Sequence, residues 1–198
     1  GIRDLVRSRG LGDVYKRQFA GNTKITSVVI SEGVTGIGSG AFTGCTNLTS
    51  AIIPEGVTTI DGMTFGNCTS LTSVTIPGTV TSIEVQAFWN CSSLTSITIP
   101  ASVTSIGSGV FQGCTSLTSV KLSEGLTRIG DYTFGKCNAL ETIEIPASLT
   151  SIGNNAFKNC AKLRSIRCYA NSSTWQPRYI CDSNTTVYYS CLLYTSDA

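Results

Sequence analysis

The chain contains no histidine, and only 13% of its 198 residues are charged. Histidine is the usual general base and the usual partner of serine and cysteine nucleophiles. It is also a frequent zinc and iron ligand, so sites that depend on it are excluded. No other pattern brings a base, a nucleophile and a metal set together. We therefore predict that the chain is not an enzyme and carries no cofactor or metal.

Long apolar runs are also missing, although 41% of the residues are hydrophobic. A membrane-spanning helix needs about 18 or more consecutive apolar residues, and the sequence has no such stretch. The hydrophobic content is nevertheless too high for a disordered chain. We expect one folded domain without a membrane span.

The two ends of the chain differ from its middle. Residues 8–18 read SRGLGDVYKRQ and residues 191–198 read CLLYTSDA. Both stretches resemble translated sequencing-adapter sequence, matched residue by residue. We therefore interpret residues 1–18 and 191–198 as adapter-derived scars rather than native sequence. The alternative interpretation is an unusual basic arm and tail.

The excluded ends change the charge balance. They hold five of the 14 basic residues and three of the 12 acidic ones, which leaves nine of each sign in the middle. The net charge of residues 19–190 is then zero rather than +2. The basic N-terminus therefore gives no support to nucleic-acid binding.

The middle of the chain repeats every 23 residues. The phenylalanine column is Phe42, Phe65, Phe88, Phe111, Phe134 and Phe157. The leucine column is Leu48, Leu71, Leu94, Leu117, Leu140 and Leu163. The cysteine column is Cys45, Cys68, Cys91, Cys114, Cys137 and Cys160. Each unit begins with a short alternating run that predicts a half-buried strand, and only stacked units could bury these columns in one core.

These columns resemble the BspA-like subclass of leucine-rich repeats, which is common in bacterial surface proteins. The resemblance covers Phe19 to about Cys168, with serine in place of proline at Ser31 and Ser123, and Glu84 in place of glycine. It implies a β-dominated α/β repeat solenoid with a parallel strand ladder and short helical or irregular turns. We assign residues 19–190 to this solenoid, with six full repeats and partial ones at both ends. The resemblance also implies an extracellular or cell-surface location.

The pattern weakens after Cys168. A further step of 23 residues places Ile180 in the phenylalanine column, Ser183 in the cysteine column and Trp175 in another core column. The alternation at Thr186–Tyr189 predicts one more strand.

The nine cysteines invite a metal or disulfide interpretation. Six of them recur once per coil, so their side chains are expected to point the same way rather than to converge on an ion. We predict buried thiols that pack as small apolar groups, with disulfides or metal as the alternative. Cys168 and Cys181 lie outside the column and are the better disulfide candidates if the protein is exported.

One set of strand positions varies while the core columns stay constant. This set faces away from the core and runs Val29, Ile52, Thr75, Thr98, Lys121, Glu144 and Arg167, flanked by Glu141 and Arg164. The strand face of a solenoid is a broad, rigid surface on which repeat proteins commonly bind partners. We predict that these residues form the partner-binding surface, and the alternative is a solvated face without a ligand.

The sequence thus favours a non-enzymatic protein-interaction module of a bacterial surface or secreted adhesion protein. The expected partner is a protein or another cell-surface ligand, and not nucleic acid. The alternative is a passive spacer or stalk within a larger surface protein. A third hypothesis, an ice-binding face, has only the Ser73/Thr75 and Ser96/Thr98 pairs in its favour. Uncapped ends would also favour self-association.

Overall fold

The computed structural model describes residues 17–170 and 180–189, together with the backbone of residues 5–6. In these ranges the chain is a coil built from parallel strands. In chain order the strands are β1 (Leu5–Val6), β2 (Ser27–Ile30), β3 (Ser50–Ile52), β4 (Thr59–Ile60), β5 (Ser73–Thr75), β6 (Ser82–Ile83), β7 (Ser96–Ile99), β8 (Ser105–Ile106), β9 (Ser119–Leu122), β10 (Arg128–Ile129), β11 (Thr142–Ile145), β12 (Ser151–Ile152), β13 (Ser165–Cys168) and β14 (Thr186–Tyr189).

The strands form two rows on different sides of the coil. The long-strand row is divided by its hydrogen bonding into the sheets β1-β2-β3-β5, β7-β9 and β11-β13-β14. The short-strand row is one continuous sheet in the order β12-β10-β8-β6-β4. Over residues 17–170 turns rather than helices connect the two rows. The predicted β-dominated solenoid is confirmed, and its connections are of the irregular type.

Like side chains lie directly over one another in the core. The rings from Phe19 to Phe157 stack along the coil, with neighbouring centroids 5.3 to 5.5 Å apart and planes within 12° of parallel. Such offset stacking is a favourable arrangement for aromatic pairs. The leucine column is buried throughout. Strand alternation directs the isoleucines inward as well, as the burial of Ile97 and Ile99 in β7 illustrates.

Each phenylalanine sits between two residues with left-handed backbone. Gln86 and Asn90 flank Phe88 in this way, with φ of 57° at both positions. Tyr132 and Lys136 have φ of 54° and 60° in their own coil. This conformation costs non-glycine residues about 1 kcal/mol or more. The stacking of the coils, and not the local preference of every residue, therefore sets the shape of the turn.

Threonines before the strands add hydrogen bonds between coils. Thr49 Oγ1 donates to the Thr26 carbonyl at 2.8 Å, and Thr72 Oγ1 donates to the Thr49 carbonyl at 3.0 Å. The short-strand row has the same arrangement, in which Thr127 Oγ1 donates to the Thr104 carbonyl at 2.9 Å. These side-chain bonds favour the same 23-residue register as the backbone bonds.

The last coil departs from that register, and this corrects two assignments from the sequence. Phe157 is bridged to Cys181, so Cys181 rather than Ile180 takes the phenylalanine position. Ser183 is exposed and does not take the cysteine position. The spacing grows to 24 residues here because the Cys181 side chain is buried beyond Phe157. The predicted strand at Thr186–Tyr189 is confirmed as β14, and Trp175 lies outside the described residues.

Most of the two terminal segments lies outside the described residues. This applies to residues 1–4, 7–16 and 191–198, while β1 pairs in parallel with β2. The adapter-derived origin of residues 1–18 and 191–198 stays a prediction.

The six cysteines of the repeat are buried and donate hydrogen bonds to the preceding coil. In each case the thiol lies 3.0 to 3.3 Å from the carbonyl oxygen of a phenylalanine 26 residues earlier. The Phe42 carbonyl, for example, accepts from Cys45 N within its own coil and from Cys68 Sγ of the next, both at 3.1 Å. The cysteine is thus a small core residue that also supplies a weak donor.

Burial keeps these thiols protonated. It raises the pKa of Cys68, Cys114 and Cys160 to about 12. It also raises the pKa of Cys91 and Cys137 well above the ordinary value, and neighbouring thiols in the column add to the effect. Because the thiolate is the nucleophile and the metal ligand, these groups are unsuited to either role in the folded protein.

The repeat thiols should make stability sensitive to alkaline pH. In an unfolded chain they lose their protons near pH 8.5, whereas the folded chain holds them up to about pH 12. Their contribution to the free energy of unfolding is therefore fully present below about pH 8.5 and is lost between there and about pH 12. Urea titrations at several pH values should show this fall. As a control, Cys114→Ser keeps a hydroxyl donor and should weaken the pH dependence.

The glycine after each short strand reflects a close approach between coils. A Cβ atom on Gly107 would lie 2.8 Å from Val85 N and 2.9 Å from the Glu84 carbonyl carbon. Glu84 and Asp61 occupy this column in earlier coils, and the second of these departures adds to the one noted from the sequence. Glycine is therefore required at Gly107 by packing against the preceding coil rather than by a left-handed φ.

Gly107→Ala should destabilise the protein, by roughly 1 to 3 kcal/mol, because the backbone it meets cannot move aside freely. The matched control is Gly78→Ala, since a Cβ atom on Gly78 meets nothing within 4 Å. That control should be neutral or slightly stabilising. Chemical denaturation of both variants measures the difference, and equal stabilities would contradict the proposed close approach.

Candidate interaction surface

The variable positions predicted as a binding surface lie in register on the outside of the long-strand row. Val29 pairs with Ile52 and Ile52 with Thr75, Thr98 pairs with Lys121, and Glu144 with Arg167. All seven are exposed. We call this surface the strand face and define it by Val29, Ile52, Thr75, Thr98, Lys121, Glu144 and Arg167. With coils about 4.8 Å apart, the strand face is about 29 Å long.

The chemistry of the strand face changes along the coil. Val29 and Ile52 leave 41% and 52% of their surfaces exposed, which is uncommon for such residues inside a sheet. Hydroxyls follow at Thr75 and Thr98, and Lys121 begins the charged end. A neighbouring column of small hydroxyl residues runs alongside, namely Ser27, Ser50, Ser73, Ser96, Ser119, Thr142 and Ser165. The strand face therefore offers apolar, hydroxyl and charged contacts in sequence.

The charged end contains one ion pair. Arg167 Nη1 lies 3.4 Å from Glu144 Oε1, and both side chains are more than 60% exposed. Exposed pairs of this kind contribute little to stability. Glu141 and Arg164 flank the same end and are exposed. These charges therefore remain accessible to a partner.

A depression of about 850 Å³ lies at this end, across β11, β13 and β14. It brings together two of the predicted residues, Arg164 and Arg167, while the other positions of the strand face lie along the row. The described residues that line it are Thr142, Arg164, Ser165, Arg167, Tyr169, Asn184, Thr186, Tyr188 and Tyr189.

The tyrosines of this depression were missed by the reasoning from sequence. Tyr169, Tyr188 and Tyr189 are 42%, 57% and 46% exposed. Burial of part of its ring raises the pKa of Tyr189, with the Cys168 and Cys181 thiols adding to the effect. The clustering of tyrosine after Cys168 was the available signal, but the last coil does not keep the 23-residue step that would have placed it.

Two further observations concern chemistry in the described residues. No three histidine, cysteine, aspartate or glutamate side chains among them are grouped so as to hold a metal ion. Their helices include none with the length and apolarity to cross a bilayer.

Comparison with known proteins agrees with this architecture. The sequence profile of the BspA type leucine rich repeat region matches residues 12–108 and 86–187. A leucine rich cell surface protein from Faecalibacterium prausnitzii has a similar structure, with 40% identity over 74% of this chain and a TM-score of 0.68. This chain spans 40% of the length of that structure.

A leucine rich repeat protein from T. pallidum is also similar in structure. Its identity is 29%, the match covers 80% of this chain and 76% of that one, and the TM-score is 0.73. A search of curated proteins gives no significant match. The repeat columns, the stacked coils and the profile match over most of the sequence show that this chain belongs to the BspA-type leucine-rich-repeat family.

Proposed function

We propose that this chain is a non-enzymatic protein-interaction module of a bacterial surface or secreted adhesion protein, and that the strand face binds the partner. The observation that carries the proposal is the contrast between columns. The Phe, Leu and Cys columns are constant and buried, whereas the strand face is exposed and differs from coil to coil. The stacking that requires the constant columns places no such demand on the strand face.

The physical basis for binding would be a rigid surface with many weak contacts. A preformed sheet loses little conformational entropy when a partner docks. Aliphatic groups at Val29 and Ile52 can supply desolvated contacts, and Lys121, Glu144 and Arg167 can supply directional ones. The cell-surface description of the Faecalibacterium prausnitzii structure supports the proposed location.

The proposal predicts that three charged residues of the strand face contribute to partner retention. The variant Lys121→Ser, Glu144→Ser, Arg167→Ser should bind immobilised host extracellular-matrix proteins at least about tenfold more weakly, since a few residues carry most of the energy of an interface. Surface plasmon resonance measures the change.

A matched control removes the same charges elsewhere. Glu84, Arg128 and Lys136 are exposed and lie along the short-strand row and its following turn. The variant Glu84→Ser, Arg128→Ser, Lys136→Asn should retain the partner. If both triple variants bind as the parent does, the spacer or stalk function is favoured instead.

A further inference from the structure

We propose that the depression across β11, β13 and β14 binds an acidic saccharide, a sugar chain that carries carboxylate groups. The site is defined by Thr142, Arg164, Ser165, Arg167, Tyr169, Asn184, Thr186, Tyr188 and Tyr189. Its volume of about 850 Å³ is in the range of small-ligand sites. The inference does not rest on the protein-binding function, because it concerns another class of ligand and other residues.

The floor of the depression suits the hydroxyl groups of a sugar. Thr142, Ser165 and Thr186 are in register on adjacent strands, so their hydroxyls form a row across the sheet. A hydroxyl both donates and accepts hydrogen bonds, and the Asn184 amide does so too. Sugar hydroxyls alternate in the same way, and a row of such groups can pair with several of them at once.

The tyrosines suit the apolar faces of sugar rings. Tyr188 is 57% exposed on the outer side of β14, and Tyr189 and Tyr169 are exposed beside it. A tyrosine combines a broad apolar ring with a polar tip, which favours ligands that have both characters. The C–H faces and hydroxyl edges of a pyranose meet this description.

The arginines give the site its preference for a negative ligand. In the part of the chain that the structure describes, no carboxylate lies within salt-bridge distance of Arg164. Arg167 has only the long, exposed contact with Glu144, which a ligand could replace at small cost. A guanidinium binds a carboxylate through two parallel hydrogen bonds, so two arginines can hold two acidic groups.

The lining favours a saccharide over an acidic peptide. Peptide-binding grooves usually take apolar anchor side chains in hydrophobic pockets. The described residues that line this depression include no aliphatic side chain and no phenylalanine. Hydroxyls, an amide, guanidinium groups and tyrosines instead cover it.

The test is isothermal titration calorimetry of the full chain with an oligomer of galacturonic acid. We expect saturable binding that weakens as salt is added, and about tenfold or more weaker binding of a neutral maltose oligomer of equal length. Arg164→Gln and Tyr188→Ala should each weaken binding of the acidic oligomer about tenfold or more, as expected for loss of a charge-assisted hydrogen bond or an aromatic contact.

Lys121→Gln is the matched control, because it removes an exposed cation of the strand face outside the depression. It should bind the acidic oligomer as the parent does. Thermal melting checks that each variant is folded, and Arg164→Gln keeps the test valid if Tyr188→Ala disturbs β14. The proposal is overturned if the acidic oligomer does not bind, if the neutral oligomer binds equally, if a glutamate oligopeptide binds better, or if Lys121→Gln weakens binding as much as Arg164→Gln.

Discussion

The phenylalanine turn of each coil is hydrogen-bonded to the same turn of the next one, and this contact fixes the register of the whole solenoid. Phe88 N donates to the Val110 carbonyl at 3.0 Å, and Asn90 N donates to the Gln112 carbonyl at 2.8 Å. The thiol of Cys114 returns a bond to the Phe88 carbonyl at 3.3 Å. A buried backbone group without a partner is costly, so a coil of a different length would leave several such groups unpaired.

This register explains why the inside of the coil is monotonous and its outside is not. A phenylalanine must lie over a phenylalanine, since the rings stack at about 5.4 Å and fill the space between successive turns. The cysteine must be small enough to fit beside them and must carry a donor. Nothing comparable restricts an outward strand position, where Thr98 and Lys121 occupy equivalent sites in adjacent coils. Variation can accumulate on the strand face without disturbing the stack.

Reasoning from the sequence succeeds where this periodicity holds. The columns predicted the stacked rings, the parallel strands and the exposure of positions such as Ile52 and Glu144. Details that depend on geometry within one coil were not predictable in this way. The left-handed backbone at Gln86 and Lys136 is dictated by neighbouring coils, since neither residue favours it, and the thiol-to-carbonyl bonds depend on where a side chain points.

The last coil shows the limit of the same reasoning. A fixed step places Ile180 over Phe157, but the bridge is made by Cys181, and β14 is shifted with it. Tyr188 therefore comes to lie beside Arg167. The depression was missed because it exists only through this change of spacing, whereas Arg164 and Arg167 were found because they belong to the regular part.

The size of the strand face bears on whether its two proposed ligands could bind together. Strands of about four residues give it a width of about 13 Å, and its length is about 29 Å, so its planar area is roughly 400 Å². A standard protein interface buries about 800 Å² on each partner. Even with the relief of the side chains, a protein partner of ordinary size would use the whole strand face and extend over Arg167. Since Arg167 also lines the depression, a bound acidic saccharide would occupy part of the same footprint. Competition rather than simultaneous binding therefore follows from the geometry, because one rigid sheet carries both surfaces.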